Sequence, residues 1–218
     1  MTTMDKPSTS RVTRAAVAAA VAGAASLAMA APSSALVPPP DGGGGQWANY
    51  PLLQDMYGTR LGDASTVKAG MSSLSDQMTV GNITSSRRRA AFFATLLNES
   101  RFEYSSEQVG ATSTYRGRGF IQLTGYTNYN NAGNHFGVDF VNYPGRVNDL
   151  AWSAKVARWY WGVNGINAAA DDLDMGRVSR LVGYAPSDAE DLQRCADFKR
   201  AMKVLTGSVP TGVTCLRH

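Results

Sequence analysis

Apolar side chains recurring at helical offsets constrain this chain more than any other feature. Over residues 87–97, Phe92, Phe93, Leu96 and Leu97 share one helix face, and Ser85 or Ser86 can cap the start. Residues 151–161 repeat the pattern with Trp152, Val156, Trp159 and Tyr160, whose rings read as core. Residues 175–181 and 192–205 read as two further helices, the second with Lys and Arg on its wet face. Strand signals are scarce. The 115–124 segment alternates only weakly and reads as a loop or short strand. A mainly α domain is expected.

That domain does not fill all 218 residues. Residues 1–30 read as an export signal: Arg11 and Arg14 precede an apolar run, and Ala28-Met29-Ala30 offers a cleavage site. The run is short, Ala-rich and followed by Pro and Gly rather than a charged stop, which favours cleavage over a membrane anchor. Residues 31–45 contain Pro38-Pro39-Pro40 and Gly42 to Gly45, a tether unable to build a core, so the folded domain spans 46–218.

Export implies an oxidising compartment. There, Cys195 and Cys215 read as a disulfide closing the C-terminal segment, worth roughly 3 kcal/mol in the chain-entropy model. His135 and His218 lack ligand spacing to these cysteines, which argues against structural zinc. The formal charge of +4 falls partly on the export signal. The remaining balance of about +2 is too weak to imply nucleic acid, even with the Arg87-Arg88-Arg89 run. A secreted monomer without a lasting membrane anchor accounts for these features.

Glu99, Glu103 and Glu107 stand at four-residue intervals. Glycoside hydrolysis needs a carboxylic acid to protonate the leaving oxygen and a carboxylate to act on the anomeric carbon, directly or through water. If helix continued through Phe102, Glu99 and Glu103 would be neighbours, with Glu107 about 12 Å further along the axis. Inversion requires carboxyls roughly 6.5–9.5 Å apart. Glu107 becomes the better partner if the chain bends between Tyr104 and Ser106. The plain alternative is a solvated glutamate face paired with Arg101 or Arg87. Trp47, beside the tether, is either a packing anchor or a sugar-stacking ring.

Tyr115-Arg116-Gly117-Arg118-Gly119-Phe120-Ile121-Gln122-Leu123-Thr124, with Asn128-Tyr129 behind it, resembles the signature of glycoside hydrolase family 19, the chitinases and related endolysins. The upstream Asn98-Glu99-Ser100 resembles that family's His-Glu-Ser/Thr at a helix end, and the likeness runs from about Leu52 to Cys215.

The resemblance implies a two-lobed, lysozyme-like helical domain with a central cleft. It also implies an inverting hydrolase of N-acetylglucosamine polymers that needs no metal or organic cofactor. By the same likeness Glu99 is the acid and Glu107 the base, with Glu103 an alternative base. Thr124 helps hold the water, Tyr115, Gln122 and Asn128 line the sugar cleft, and Arg118 supports it. Chitin is the expected substrate. Peptidoglycan cleavage, or polysaccharide binding without turnover, are the other readings. Two departures stand out: Asn98 replaces the family's His, and Val182-Gly183-Tyr184 replaces its Asn-Gly-Gly.

Overall fold

Among the described residues, an apolar helical stretch forms the centre of the molecule. In the computed structural model, which describes residues 47–183 and 187–217, every side chain from Ala90 to Leu97 is buried. A helical stretch apolar on nearly every side must be covered all round, and residues 90–97 are. Eight α-helices occur among the described residues: α1 (Tyr50–Tyr57), α2 (Ala64–Val80), α3 (Ser86–Ser100), α4 (Tyr126–Phe136), α5 (Ser153–Val163), α6 (Ile166–Asp171), α7 (Met175–Val182) and α8 (Asp188–Thr206). The central α3 packs chiefly on α8 and also meets α6 and α7, while α2 lies on α5.

The expected helices are present, with later or earlier ends. Ser85 caps α3 by accepting from the Arg88 N–H. α5 runs through Gly162 to Val163, past the stop expected before Gly162, and α8 begins at Asp188, ahead of Leu192. The 115–124 segment is a loop holding isolated bridges, Glu107 with Arg118 and Arg118 with Leu123. Trp47 is a packing anchor: its ring is buried, and its backbone N–H donates to Ser75 Oγ at 2.8 Å.

Buried charge is concentrated on α8. Phe198, Ala201 and Met202 define its apolar face, and Asp191, Arg194 and Asp197 lie on the same face at three-residue spacing, all buried. Each is paired with a different segment: Asp191 with Arg217, Arg194 with Glu99, and Asp197 with Arg60. Unpaired, such groups would cost several kcal/mol each, so α8 is matched to specific partners rather than merely adhesive. The Cys195–Cys215 disulfide, with Cα atoms 5.4 Å apart, adds a covalent tie beside Arg194.

The export signal and tether expected over residues 1–45 lie outside the described residues, as does Tyr184. No described helix is long and apolar enough to cross a membrane.

Candidate active site

Helix α3 ends sharply after Ser100. Arg101 (φ 54°) and Phe102 (φ 65°) are both left-handed, and the Arg101 N–H closes the helix on the carbonyls of Leu96 and Leu97. Left-handed geometry costs a non-glycine residue about 1–2 kcal/mol. Burial of the Phe102 ring between Phe93 and Tyr57 offsets it, at roughly 2 kcal/mol for a side chain of this size. The chain therefore turns at residues 101–102, ahead of the expected bend between Tyr104 and Ser106.

The turn gives the three glutamates different surroundings. Glu103 Oε1 accepts from the Asp63 N–H at 2.5 Å, in the connection between α1 and α2. Arg101 straps the same connection, donating to Arg60 O at 3.0 Å and Leu61 O at 2.8 Å. These contacts use Arg101 and Glu103 structurally, and neither pairs with the other as a solvated helix face would require.

Glu99 stays on α3. Its side chain is 12% exposed, and Oε1 accepts from Nη2 of the buried Arg194 at 2.7 Å. Glu190, one turn earlier on α8, reaches the same guanidinium nitrogen at 3.7 Å. Tyr160 lies within electrostatic reach: its phenol is pushed up by burial first and then by the Glu99 charge. The Tyr160 hydroxyl donates to Val182 O at 3.0 Å, linking α5 to the end of α7.

Glu107 is more exposed, at 37% of its side chain, and both Arg116 and Arg118 hold its Oε1, Arg118 Nη2 at 2.9 Å. Arg118 is buried and also donates through Nη1 to Thr114 O at 2.9 Å and to the Tyr129 hydroxyl at 3.0 Å. Burial pushes the Tyr129 phenol up, with the Arg118 hydrogen bond pulling the other way. Arg118 thus ties Glu107 to Thr114 and Tyr129 through one buried guanidinium.

Thr124 Oγ1 donates to Gln122 O at 2.7 Å, so its lone pairs are what it can offer a water. Gln122 is itself left-handed (φ 52°), held by Nε2 donating to Ser106 O and Gly119 O. A Cβ at position 117 would stand 2.7 Å from Gln122 Oε1 and 3.2 Å from Thr124 Oγ1, so a side chain there would displace Gln122 and crowd Thr124. Asn128 Nδ2 bonds Thr124 O at 2.8 Å. Tyr115 is partly buried, its ring tilted on Tyr129 and edge-on to Tyr126. The donors of Gln122 and Asn128 therefore shape the loop that carries Thr124.

Arg87, Arg88 and Arg89 do not form a free basic face. Arg87 donates to Asp171 O, Arg88 pairs with the Asp171 carboxylate, and Arg89 is buried against Trp47 O, where burial lowers its guanidinium to about 10.

Arg194 escaped the sequence reading, and Tyr160, read there as core, is partly buried with Glu99 in electrostatic reach. The signal for Arg194 was available: it stands four residues before Phe198 and seven before Ala201, placing a charge on an apolar stripe.

A mainly helical domain with one arginine-held glutamate on α3 and another held by the Gly-Arg-Gly loop matches a lysozyme-like carbohydrate-active class. The model of glycoside hydrolase family 19, described as chitinase class I, matches residues 62–215, and the chain belongs to that family. Chitinase 8 of Oryza sativa subsp. japonica is 35% identical over 102 residues, covering 45% of this chain and 37% of the relative. The acidic 27 kDa endochitinase of Solanum lycopersicum is 34% identical over 116 residues, covering 52% and 42%. The chain thus spans about two fifths of the length of these relatives. Chitinase C of Streptomyces griseus shares the fold with a TM-score of 0.61 at 22% identity, covering 79% of this chain and 81% of that one.

Proposed function

We propose that this protein is an exported glycoside hydrolase that cleaves β-1,4 bonds of N-acetylglucosamine polymers, with chitin as substrate, by a single inverting displacement. The relatives are named as chitinases, and hydrolysis of this kind uses two carboxylates with different tasks. The observation that carries the reading is the contrast between two carboxylates. Glu99 is nearly enclosed and oriented by Arg194, whereas Glu107 is open to water on a loop.

In this reading Glu99 protonates the glycosidic oxygen. Its Oε1 contact with Arg194 orients the carboxyl that delivers the proton. Glu107 is the base: both arginines take Oε1, so Oε2 receives the proton of the attacking water. Thr124 Oγ1, its own proton committed to Gln122 O, accepts the second hydrogen of that water and turns a lone pair toward the anomeric carbon. Residues 1–30 direct export and are removed, residues 31–45 tether the domain, and the mature protein acts outside the cell as a monomer.

The test is mass spectrometry of products after incubation with chitin oligosaccharides and, separately, purified peptidoglycan, with Glu99→Gln and Glu107→Gln as controls. Chitin cleavage lost in both variants supports the reading. Cleavage of peptidoglycan alone replaces the substrate, and binding without turnover in the unmutated protein overturns the enzyme.

A further inference from the structure

Asn98, which stands where the family has His, occupies a position with a clear geometric role. Its Nδ2 donates to Ala94 O at 2.7 Å and to Asp197 Oδ2 at 2.9 Å. Both partners are acceptors, so the amide orientation follows from the network.

Asp197 is a carboxylate with only 2% of its side chain exposed. Arg60 spans both of its oxygens, Nη1 to Oδ1 and Nη2 to Oδ2 at 2.9 Å, and Gln193 Nε2 reaches Oδ2 at 3.2 Å. The hydrogen bond to Asp197 pushes the Arg60 guanidinium up. Tyr57 faces the same group, with its phenol pushed well up by burial and then by the Asp197 charge, and Arg200 acts on that phenol from α8 in the opposite sense.

Asn98 directly precedes Glu99, and Asp197 lies one turn after Arg194. Two contacts therefore run side by side between α3 and α8: Glu99 with Arg194, and Asn98 with Asp197. A single contact is a pivot about which the end of α3 can rotate. A second contact beside it removes that rotation, and the bidentate Arg60 gives it a rigid base. Arg60 is itself held, since Arg101 donates to its carbonyl.

We propose that Asn98, Asp197 and Arg60 are positioning residues that set the orientation of the Glu99 carboxyl against Arg194. They act through Glu99 and not on the sugar. The inference rests on the reading of Glu99 as the acid, and it assigns Asn98 the task of a donor to Asp197, which an imidazole N–H could also perform.

The experiment compares the full chain with Asn98→Ala, Asn98→His, Arg60→Lys and Glu99→Gln in hydrolysis of chitin hexamer across pH, alongside thermal melting. Asn98→Ala is expected to lower kcat about 10- to 100-fold, as a misplacement of around 1 Å does, with KM changed less than about twofold. The pH profile of kcat should move with it, because the balance among Glu99, Arg194, Glu190 and Tyr160 changes. Asn98→His should recover most of the rate. A merely structural role would lower the melting temperature and leave kcat and the pH profile of the folded protein unchanged, and that result overturns the proposal.

If Asn98→Ala fails to fold, Arg60→Lys provides the decision: it keeps the charge but loses the bidentate grip, and native kcat with a native pH profile again overturns the clamp. Turnover retained by Glu99→Gln would refute the acid assignment and the clamp together. An inactive Glu99→Gln beside an unimpaired Asn98→Ala refutes the clamp alone.

Discussion

Arg194 donates to Glu99 Oε1 at 2.7 Å across 95 residues of sequence, and its own side chain is 2% exposed. The pair binds the central helix to the last one at the point where the proposed acid stands. Removing one member leaves the other charged and enclosed. Arg194→Ala is therefore expected to lose about 3–5 kcal/mol of unfolding free energy, and Glu99→Gln distinctly less because the amide still accepts from the guanidinium. Urea unfolding of the two variants checks this ordering.

In the proposed mechanism Glu107 is the base, and the separate surroundings of Glu103 and Glu107 allow the two roles to be tested apart. Glu103→Ala should retain turnover and lose about 1 kcal/mol of stability with the Asp63 N–H contact. Glu107→Gln should lower kcat by about 100-fold or more. Rates on chitin oligosaccharides, with melting curves as the fold control, separate the two, and the opposite pattern would transfer the role to Glu103.

The C-terminal tail lies against Gly176. A Cβ there would stand 1.9 Å from Leu216 O, and the tail is pinned nearby by Met175 and Gly176 N–H bonds to Thr214 O. Since the obstacle is backbone, Gly176→Ala should cost about 2–3 kcal/mol, read as a lowered melting temperature.

Stability should also fall in acid through two carboxylates. Asp63 caps α2, and hydrogen bonds from Ser65 and then Thr66 lower it from 3.8 to about 2. At Asp191, burial works to raise the carboxyl, but the ion pair and hydrogen bonds of Arg217 prevail and lower it. A depressed carboxylate contributes stability that is complete above its unfolded value near 3.8. That contribution disappears as pH falls through the folded value, about 2 for Asp63. Melting temperature should therefore drop between about pH 4 and pH 2, and Asp191→Asn should flatten the descent.

Much of the fold was legible because helix formation by amphipathic segments is local. Phe92, Phe93, Leu96 and Leu97 announced α3, Trp152 to Tyr160 announced α5, and the Gly-Arg-Gly run announced a loop in which Gly117 packs closely on Gln122 and Thr124. Glu99 was named through the likeness of Asn98-Glu99-Ser100 to the family's helix end, and the local part of that reading, a helix ending at Ser100, is what the chain forms.

What the tertiary structure decided are the relationships between distant segments. The spacing of Glu99, Glu103 and Glu107 could not show that burial of Phe102 turns the chain at residues 101–102 and sends Glu103 to Asp63. Periodicity marked α8 as amphipathic with a basic wet face, yet three charges lie on its buried side because Glu99, Arg60 and Arg217 come from other elements to meet them. A local pattern determines which residues can form a helix. Only the packed chain determines which buried charge finds its counterion, because desolvation and pairing depend on neighbours far away in sequence.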